Sequence, residues 1–457
     1  MKKKIIGIVC ASIGSILLSA LIAFGIFTLI RNKNVAETGN VLGVSWYNET
    51  DSVFTITTAE ELYELAELSK FYNFKGQMIK LGADIIVNEG NAEDWAEKAP
   101  AKKWKPINRF AGTFDGQGHT ISGLYAKVFG AKLAMFTNTV QTCTIKNISL
   151  VNTYFESNGL EGLASFVSTG GGKFYKLYSD AILECSGEQV GGLASMINKA
   201  SKFEECWFDG SIHTTNRDVG GLIDEIANVR VDMKHCLFSG TLEQEYTIGG
   251  TRTGAICGRV RDKGSLIMDD CLASGTLTAE KTVYTGALVG VVYSGCQVAT
   301  TNSYVSSDTY HLMVGDSGEQ GVINGKPLHL MSDVLIGTKA YEWTTLDFDK
   351  YWAAVEGGTP VLKCFGEKGM ALAGVEKAFD ISWYQPGTYT YELTTLKQLY
   401  GFYILSGGND FAEHTIKLGA DIVVNEGKVA DWEKKAPQNP LFAINKFAGM
   451  FDGQGHT

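Results

Sequence analysis

The chain has 457 residues, of which 45% are hydrophobic and 20% charged, as in an ordinary folded protein. Glycine is abundant at 53 residues and proline scarce at 7, which favours many tight turns between short strands. The net charge of −10 argues against nucleic acid as a partner, because phosphate binding needs a basic face.

The N-terminus carries a membrane signal. Residues 5–30 form a run of 26 uncharged residues between three lysines at 2–4 and Arg31. This run exceeds the ~20 residues that span a bilayer, and it continues past the small residues where a signal peptide would be cleaved. We expect an uncleaved signal-anchor with residues 1–4 in the cytoplasm, a juxtamembrane linker at 31–43 and the bulk of a single-pass membrane protein outside the cell.

A short helix is predicted within residues 57–72. Thr58 and Glu61 form the pattern of a capping box, and leucines follow at 62, 65 and 68. We expect this helix to cover the open end of the β-structure that follows, since an uncovered sheet end is prone to pair with other chains.

The next feature is a glycine-rich motif at residues 110–120, Phe-Ala-Gly-Thr-Phe-Asp-Gly-Gln-Gly-His-Thr. A calcium site would need several oxygen ligands from one loop, and this loop offers one carboxylate. We therefore favour a structural turn over a calcium or catalytic loop, with the aspartate bonded to nearby backbone amides and the histidine packed on the next coil. The motif residues are Phe110, Gly112, Phe114, Asp115, Gly116, Gly118 and His119.

Two short phrases then alternate with a period near 30 residues through residues 140–305. Neither phrase is long enough for a helix. We place one residue of each apolar phrase in a single column: Asn147, Leu177, Cys206, Cys236 and Cys271. The alternating phrases supply glycines that we place at one corner of the coil: Gly162, Gly192, Gly221, Gly254 and Gly286.

This periodicity predicts a solenoid, because one such unit cannot bury its own apolar face and must stack on the next. The predicted fold is all-β, a right-handed parallel β-helix of roughly six to eight coils with a short capping helix, preceded by one transmembrane helix. Residues 44–365 would form this module.

A second copy begins downstream. The glycine-rich motif returns 337 residues later, and the matching residues are Phe447, Asp452, Gly453, Gly455 and His456. We expect a linker at 366–380 and the start of a second, truncated module at 381–457, because the chain ends inside the motif.

Candidate chemistry is sparse. Asp209, Asp224, Asp269 and Asp270 could supply the two carboxylates of a glycosidase or lyase, but we interpret them as solvated surface acids. Stacked cysteines are expected to be buried free thiols, with disulfides between coils as the alternative. The aromatic residues Trp207, Tyr304, Tyr310 and Tyr341 could bind a ligand, although core or cap packing is favoured. With no Cys-x-x-Cys and no histidine pair at ligand spacing, we predict no metal, cofactor or catalytic residue.

The pattern Phe110-x-Gly-x-Phe-Asp-Gly-x-Gly-His-x-Ile-x-x-Leu124, followed by Gly-Gly-Leu phrases, resembles bacterial surface proteins with GLUG-type repeats. Those proteins are similar to pectin-lyase-like β-helices. The resemblance covers about residues 44–365 and 381–457, and implies an exported adhesin or surface array. Some relatives carry a metalloprotease domain beside the repeats, but this chain has no His-Glu-x-x-His.

Three functions remain in competition at this level. The first is a membrane-anchored extracellular β-helix for adhesion or display, without catalysis, whose partner is a glycan or a surface protein of a host or neighbouring cell. The second is a carbohydrate-active β-helix enzyme, recognisable by acids and a lysine or arginine on successive rungs of one exposed strand. The third is a passive surface spacer.

Overall fold

The chain folds into a parallel β-solenoid of the right-handed type with about six turns and few helices. The computed structural model describes residue 33 and residues 40–159, 162–215, 218–245, 251–279, 284–306, 314–315, 321–324, 328–330, 332–367, 369–385, 387–406, 409–432, 439, 444 and 447–457. Within these residues no helix has the length and apolar character to cross a bilayer, and the predicted anchor at 5–30 lies outside them.

Four parallel sheets, named here A to D, form the walls. Sheet A has 17 strands: Val53–Ile56, Met78–Leu81, Ile85–Ile86, Thr113–Asp115, Thr120–Ser122, Thr144–Val151, Lys173–Ser179, Ser201–Glu204, Trp207–Phe208, Arg230–Lys234, Leu237–Phe238, Ser265–Asp269, Leu272–Ala273, Gln297–Thr301, Tyr304–Ser306, Val322–Asn324 and Leu328–Leu330. Sheet B has six: Phe136–Asn138, Val167–Gly170, Ala194–Ile197, Ile223–Ala227, Cys257–Arg261 and Val289–Val292. Sheet C also has six: Tyr125–Val128, Tyr154–Ser157, Ile182–Cys185, Ser211–Thr214, Thr241–Gln244 and Thr276–Thr278. Sheet D, at a corner, has five short strands: Leu163–Ala164, Gln189–Gly191, Asp218–Gly220, Arg252–Gly254 and Thr285–Gly286.

The remaining elements flank or extend this core. The helices are α1 (Ala59–Leu68), α2 (Thr338–Trp343) and α3 (Leu396–Ser406), with 3₁₀ turns at Ala92–Ala96, Ser332–Leu335, Lys363–Phe365 and Val429–Asp431. Trp352–Ala353 pairs antiparallel with Val361–Leu362, and a separate parallel sheet contains Thr390–Leu393, Thr415–Leu418 and Met450–Asp452.

Each coil runs through sheets C, D, B and A in that order, and identical positions of successive coils lie directly above one another. On sheet A the inward column is apolar over five successive coils and belongs to one continuous core: Ile145, Phe174, Phe203, Met233 and Met268. The rings of Phe174 and Phe203 stack with centroids 4.6 Å apart. Stacking of coils thus buries the apolar side chains that a single coil would leave exposed.

Helix α1 covers the N-terminal end of the core, and the predicted capping box is confirmed. The Thr58 hydroxyl accepts from the Glu61 backbone N–H, while the Glu61 carboxylate accepts from the backbone N–H of Thr58. The leucines at helical spacing, 62, 65 and 68, are fully buried against the first coil. The start of this helix is therefore readable from local sequence.

The predicted column on sheet A is wrong by one residue at its first member. Leu177 pairs with Ile148, not with Asn147. Asn147 instead opens a column of polar residues that all adopt left-handed backbone, with φ between 47° and 54°: Asn147, Lys176, Glu205, His235, Asp270 and Asn302. The apolar column beside it contains Ile148, Leu177, Cys206, Cys236 and Cys271. The error arises because isoleucines flank Asn147 at both 145 and 148, so either register keeps apolar residues aligned.

The glycines also form two columns where one was predicted. Gly254 and Gly286 stack with Gly191 and Gly220 on sheet D. Gly192 and Gly221 follow one position later, and Gly162 precedes both columns by two or three residues. Consecutive Gly-Gly pairs make the two registers indistinguishable in sequence, and only the backbone pairing separates them.

Alanine at Gly221 should destabilise the solenoid by about 1–3 kcal/mol, the usual cost of overpacking. A methyl group there would lie 2.1 Å from the Ala255 carbonyl oxygen and 2.6 Å from the Phe238 ring. Gly358→Ala is the matched control, since its nearest atoms are 3.7 Å away, and it should change the unfolding free energy by less than about 1 kcal/mol. Chemical denaturation of both variants checks this, and equal effects would show that the corner is not tightly packed.

Residues 332–365 fold back along the outside of sheet A and cover its aromatic column. Trp207 and Tyr304, for which core or cap packing was favoured over ligand binding, are buried beneath this segment together with Leu237 and Leu272. Trp352 is fully buried there, and its indole N–H donates to the Asp270 carboxylate at 2.6 Å. Tyr310 lies outside the described residues.

The residues predicted as a linker pack on this same flank. The Lys377 ammonium donates to the carbonyls of Tyr341 and Thr344 at 2.7 and 2.9 Å, and lies 3.8 Å from the centre of the Tyr341 ring. Burial lowers the pKa of Lys377 to about 8. The domain boundaries themselves remain a prediction.

The second copy repeats the first element by element. Thr390–Leu393, α3, Thr415–Leu418 and Met450–Asp452 correspond at the 337-residue offset to Val53–Ile56, helix α1, Met78–Leu81 and Thr113–Asp115. Their parallel registers correspond as well. The difference is that Phe451 is 44% exposed, while its counterpart Phe114 is buried beneath the next coil.

Candidate binding sites

The glycine-rich motif forms a turn that ties neighbouring coils together. The Asp115 carboxylate accepts from the Gln117 backbone N–H and the Asn147 side-chain amide, both at 3.0 Å, and forms an ion pair with Lys146. Burial alone would raise the pKa of Asp115, but these donors together hold it below its usual value. His119 bonds Asp84 at 3.1 Å on the preceding coil.

The glycines of this motif serve the same packing. A side chain at Gly116 would lie 2.3 Å from the Asn147 carbonyl, and one at Gly112 would lie 2.4 Å from the Phe74 carbonyl. Gly118 adopts φ +87° in open space. In the second copy, Asp452 again accepts from its own turn and His456 again bonds an aspartate, Asp421, at 3.3 Å. A repeated set of contacts within the fold indicates a structural role.

The acids singled out in the sequence do not form an exposed pair, and two of them are not solvated as predicted. Asp224 is fully buried and Asp270 nearly so. Asp270 accepts from Trp352 and lies 2.8 Å from the Nδ1 atom of His235. Asp269 pairs with Lys234, and Asp209 accepts from Ser239. Contacts from other coils and from the 332–365 flank, absent from the local sequence, account for the error.

Asp224 belongs to a charged network at the corner between sheets D and B. Arg252 pairs with its rung neighbour Asp218 through Nη1 at 2.6 Å, and Arg259 reaches Asp218 at 2.5 Å. Arg259 also binds its own rung neighbour Glu225, which is fully buried. Arg261 completes the set with a 2.7 Å bond from Nε to Glu225. The only sequence signal was an acidic pair inside the apolar strand Ile-Asp-Glu-Ile-Ala.

Stability should fall with rising pH because of Asp224, whose two carboxylate oxygens have no hydrogen-bond partner among the residues that the structure describes. Burial raises the pKa of Asp224 well above the ordinary value. The charge of Arg259 lowers this pKa, and the charge of Asp218 raises it further. The folded chain therefore holds this proton to a higher pH than the unfolded chain, and stability is lost progressively above about pH 4.

Asp224→Asn, which keeps the shape but cannot ionise, should flatten this part of the pH dependence. Unfolding free energies of both proteins are measured by denaturant titration from about pH 4 to about pH 8. The value for the variant minus that for the native chain should increase as pH rises. Parallel curves for the two proteins would contradict this assignment.

The outer face of sheet C carries a row of charged side chains on successive rungs. In register these are Lys127, Glu156, Glu184, His213 and Glu243. Two contacts within the row pair an acid with a base: Lys127 lies 2.7 Å from Glu156, and the His213 Nδ1 atom lies 2.8 Å from Glu184. Burial lowers the pKa of His213, but Glu184 and Glu245 outweigh it and raise the pKa. This row, which the sequence did not indicate, is half-exposed and could contact a ligand.

A second accessible feature is a cleft of about 530 Å³ on the N-terminal cap. It lies between the end of helix α1, the turn at 73–77 and Arg109. Its lining is mostly polar, apart from the half-exposed ring of Phe71. Its volume is within the ~300–1,000 Å³ typical of small-ligand sites.

The cysteines of the described residues are free thiols. Cys206, Cys236 and Cys271 lie on consecutive rungs in the core, each fully or almost fully buried. Burial raises the pKa of the Cys236 thiol well above its ordinary value, and the neighbouring thiols add to this effect. Among the residues that the structure describes, no group of three or more His, Cys, Asp or Glu side chains is arranged to hold a metal ion.

Comparison with known proteins gives one similar solved structure and no family. No protein-family model matches the chain, and no curated protein matches it. Among solved structures, the chain is similar to the crystal structure of a "putative immunoglobulin A1 protease" from Bacteroides ovatus, with 17% identity and a TM-score of 0.46. The match covers 70% of this chain and 94% of that one.

Proposed function

We propose that this protein is a membrane-anchored, extracellular β-solenoid that binds a partner on another surface or displays itself to one, without catalysis. The anchor would be residues 5–30, and the ligand a glycan or a surface protein of another cell. GLUG-type surface proteins, which the sequence resembles, would be its relatives in this role.

One observation carries the proposal: a second solenoid start follows the first and repeats its strands, helix and registers at a constant offset of 337 residues. A repeated start of a rod-forming unit extends the surface available for binding, as in other repeat proteins, without creating a new catalytic arrangement. The third possibility, a passive spacer, shares this geometry but requires no ligand.

The carboxylates support the non-catalytic proposal. In the described part of the chain, Asp115, Asp218 and Glu225 are each neutralised by a cation. Hydrolysis of a glycosidic bond needs one carboxyl group to donate a proton and another to act as base or nucleophile, about 5–9.5 Å apart on an accessible face. Groups locked in buried ion pairs cannot perform these steps.

The carbohydrate-active alternative is favoured by the row on sheet C. Glu156 and Glu184 occupy adjacent rungs, which are about 4.8 Å apart in any parallel sheet, and Lys127 and His213 flank them. This is the pattern expected of a β-helix enzyme. We rank it second because both carboxylates are already engaged by these flanking cations.

The proposal is tested on intact cells that express the full chain. Added protease should cleave the solenoid without cell lysis, and the cells should adhere to at least one member of a panel of immobilised glycans and surface proteins. As control, Leu17→Arg combined with Leu18→Arg interrupts the apolar run and should release the chain from the membrane fraction. A chain protected from external protease would refute the surface location, and accessible chains that adhere to nothing would favour the spacer.

A further inference from the structure

The cleft on the N-terminal cap is lined by charged side chains, of which some have partners within the protein and others do not among the described residues. Its two acids have donors from within the protein: Tyr72 donates to Glu49 at 2.8 Å, and Asn48 donates to Asp51 at 2.7 Å. Lys70 is paired with Glu67. The acidic groups of the cleft are therefore occupied, and so is one of its three cations.

Arg109 and Lys75 are different. Neither side chain has a hydrogen bond or an ion pair to any residue that the structure describes, and both are exposed at the cleft. Arg109 adopts left-handed backbone with φ 52°, an uncommon conformation for a long side chain. Its neighbour Asn108 donates its backbone N–H to the Ser69 hydroxyl at 2.8 Å, which fixes this segment against the end of helix α1. A guanidinium that extends from an anchored backbone segment, with no partner among the described residues, is suited to bind a carboxylate through two parallel hydrogen bonds.

The other free surface is aromatic. The Phe71 ring is 49% exposed at the edge of the cleft, next to hydroxyl and amide groups. An apolar drug-like ligand would require a mostly hydrophobic lining, which this cleft lacks. A sugar ring has an apolar face that can lie on an aromatic ring and hydroxyl groups that the polar lining can bind.

Comparison with the second copy shows which residues of this region the fold requires and which it does not. Tyr47 and Phe74, buried beneath the cleft, recur as Tyr384 and Phe411. Phe71 and Lys75 are replaced by glycine and alanine at the same offset, and Arg109 by lysine. The fold therefore does not require the exposed side chains, which belong to the first module alone.

We propose that the N-terminal cleft binds a short saccharide that carries a carboxylate, with Arg109 on the carboxylate, Lys75 beside it and Phe71 under a sugar ring. This proposal rests on the binding function proposed above and names its ligand class. The carboxylate could belong to a terminal sialic acid or to an internal uronic acid, and the structure gives both the same chemistry.

The test is calorimetric titration of the full chain in detergent with three probes: sialyllactose, a hyaluronan tetrasaccharide and neutral lactose. At least one acidic probe should bind at least tenfold more tightly than lactose, and which of the two binds identifies the source of the carboxylate. Arg109→Gln should weaken that binding about 10- to 100-fold, the loss expected for a charge-assisted pair. Phe71→Ala should weaken it about three- to tenfold. Phe129→Ala, which alters a 90% exposed ring outside the cleft, and Lys98→Gln are matched controls that should bind normally.

Each other result overturns the proposal. Equal affinity for lactose and the acidic probes would remove the carboxylate from the ligand class. Binding of an acidic probe that survives both cleft substitutions would place the site elsewhere, while the general binding function stands. Absence of binding by all three probes, in a chain whose cells still adhere to the panel, would refute the cleft alone, whereas loss of adhesion as well would refute the proposed function.

Discussion

Replacing Arg259 with methionine is expected to destabilise the solenoid by about 3–5 kcal/mol, the usual cost of removing one partner from a buried ion pair. Its guanidinium lies between Asp218 and Glu225, and these two carboxylates are almost completely and completely buried. Within the described part of the chain, its loss would leave Glu225 with Arg261 and Gln189 as partners, and Asp218 with Arg252. Methionine retains much of the packing volume, so the loss should be mainly electrostatic.

The measurement is the free energy of unfolding by denaturant at neutral pH. Arg230→Gln is the matched control: it removes a rung arginine that is 63% exposed and pairs only with Asp232 at the surface, and its effect should be less than about 1 kcal/mol. Equal effects for the two arginines would mean that the corner network contributes no more than a surface pair.

Trp352→Ala should cost about 3–5 kcal/mol, as truncation of large buried aromatic side chains does. Trp352 is the anchor of the 332–365 flank, where it lies against the outward face of sheet A and donates to Asp270. Beside it, Tyr351 stacks on His235 with ring centres 3.6 Å apart. Loss of the indole would leave a cavity and a buried carboxylate with one donor fewer.

Trp352→Phe separates the two contributions, because it retains most of the volume and loses only the N–H; we expect about 1–3 kcal/mol. Tyr389→Ala, at a 61% exposed ring, serves as the control and should have little effect. Hydrogen exchange should show faster exchange for amides of the flank before those of the solenoid core. If Trp352→Ala left exchange in the flank unchanged, the tryptophan would not be its anchor.

The solenoid could be predicted because its pattern is local and repeated. A period near 30 residues, short apolar phrases and turn glycines require stacking of coil on coil, whatever the details of each coil. The capping helix was predictable for a similar reason, since Thr58 and Glu61 bond to backbone within one turn. The roles of residues that contact near neighbours in sequence can be predicted without the structure.

The roles of residues that contact other coils could not be predicted from the sequence. Isoleucines lie on both sides of Asn147, at 145 and 148, so the first member of the column was assigned one residue out of register. Asp224 was predicted to be a surface acid, but the strands of sheets B and D bury it inside the corner. Core or cap packing was favoured for Trp207 and Tyr304, but the sequence did not show that the segment covering them comes from the far end of the module.

The candidate sites have the same limitation. The N-terminal cleft is assembled from residues 47–52, 69–77 and Arg109, and the row on sheet C from one residue in each of five coils. Neither is visible in a linear scan for motifs. What the sequence could supply was the period, from which a row of rung neighbours follows once the register is known.

The central claim is that this chain binds and does not convert its ligand. The most direct test is to incubate the full chain with its retained ligand from the panel, recover that ligand and determine its mass and its content of reducing ends. The account predicts a recovered ligand of unchanged mass with no new reducing ends. New reducing ends that disappear in Glu156→Gln or Glu184→Gln would contradict it and establish the row on sheet C as a catalytic site.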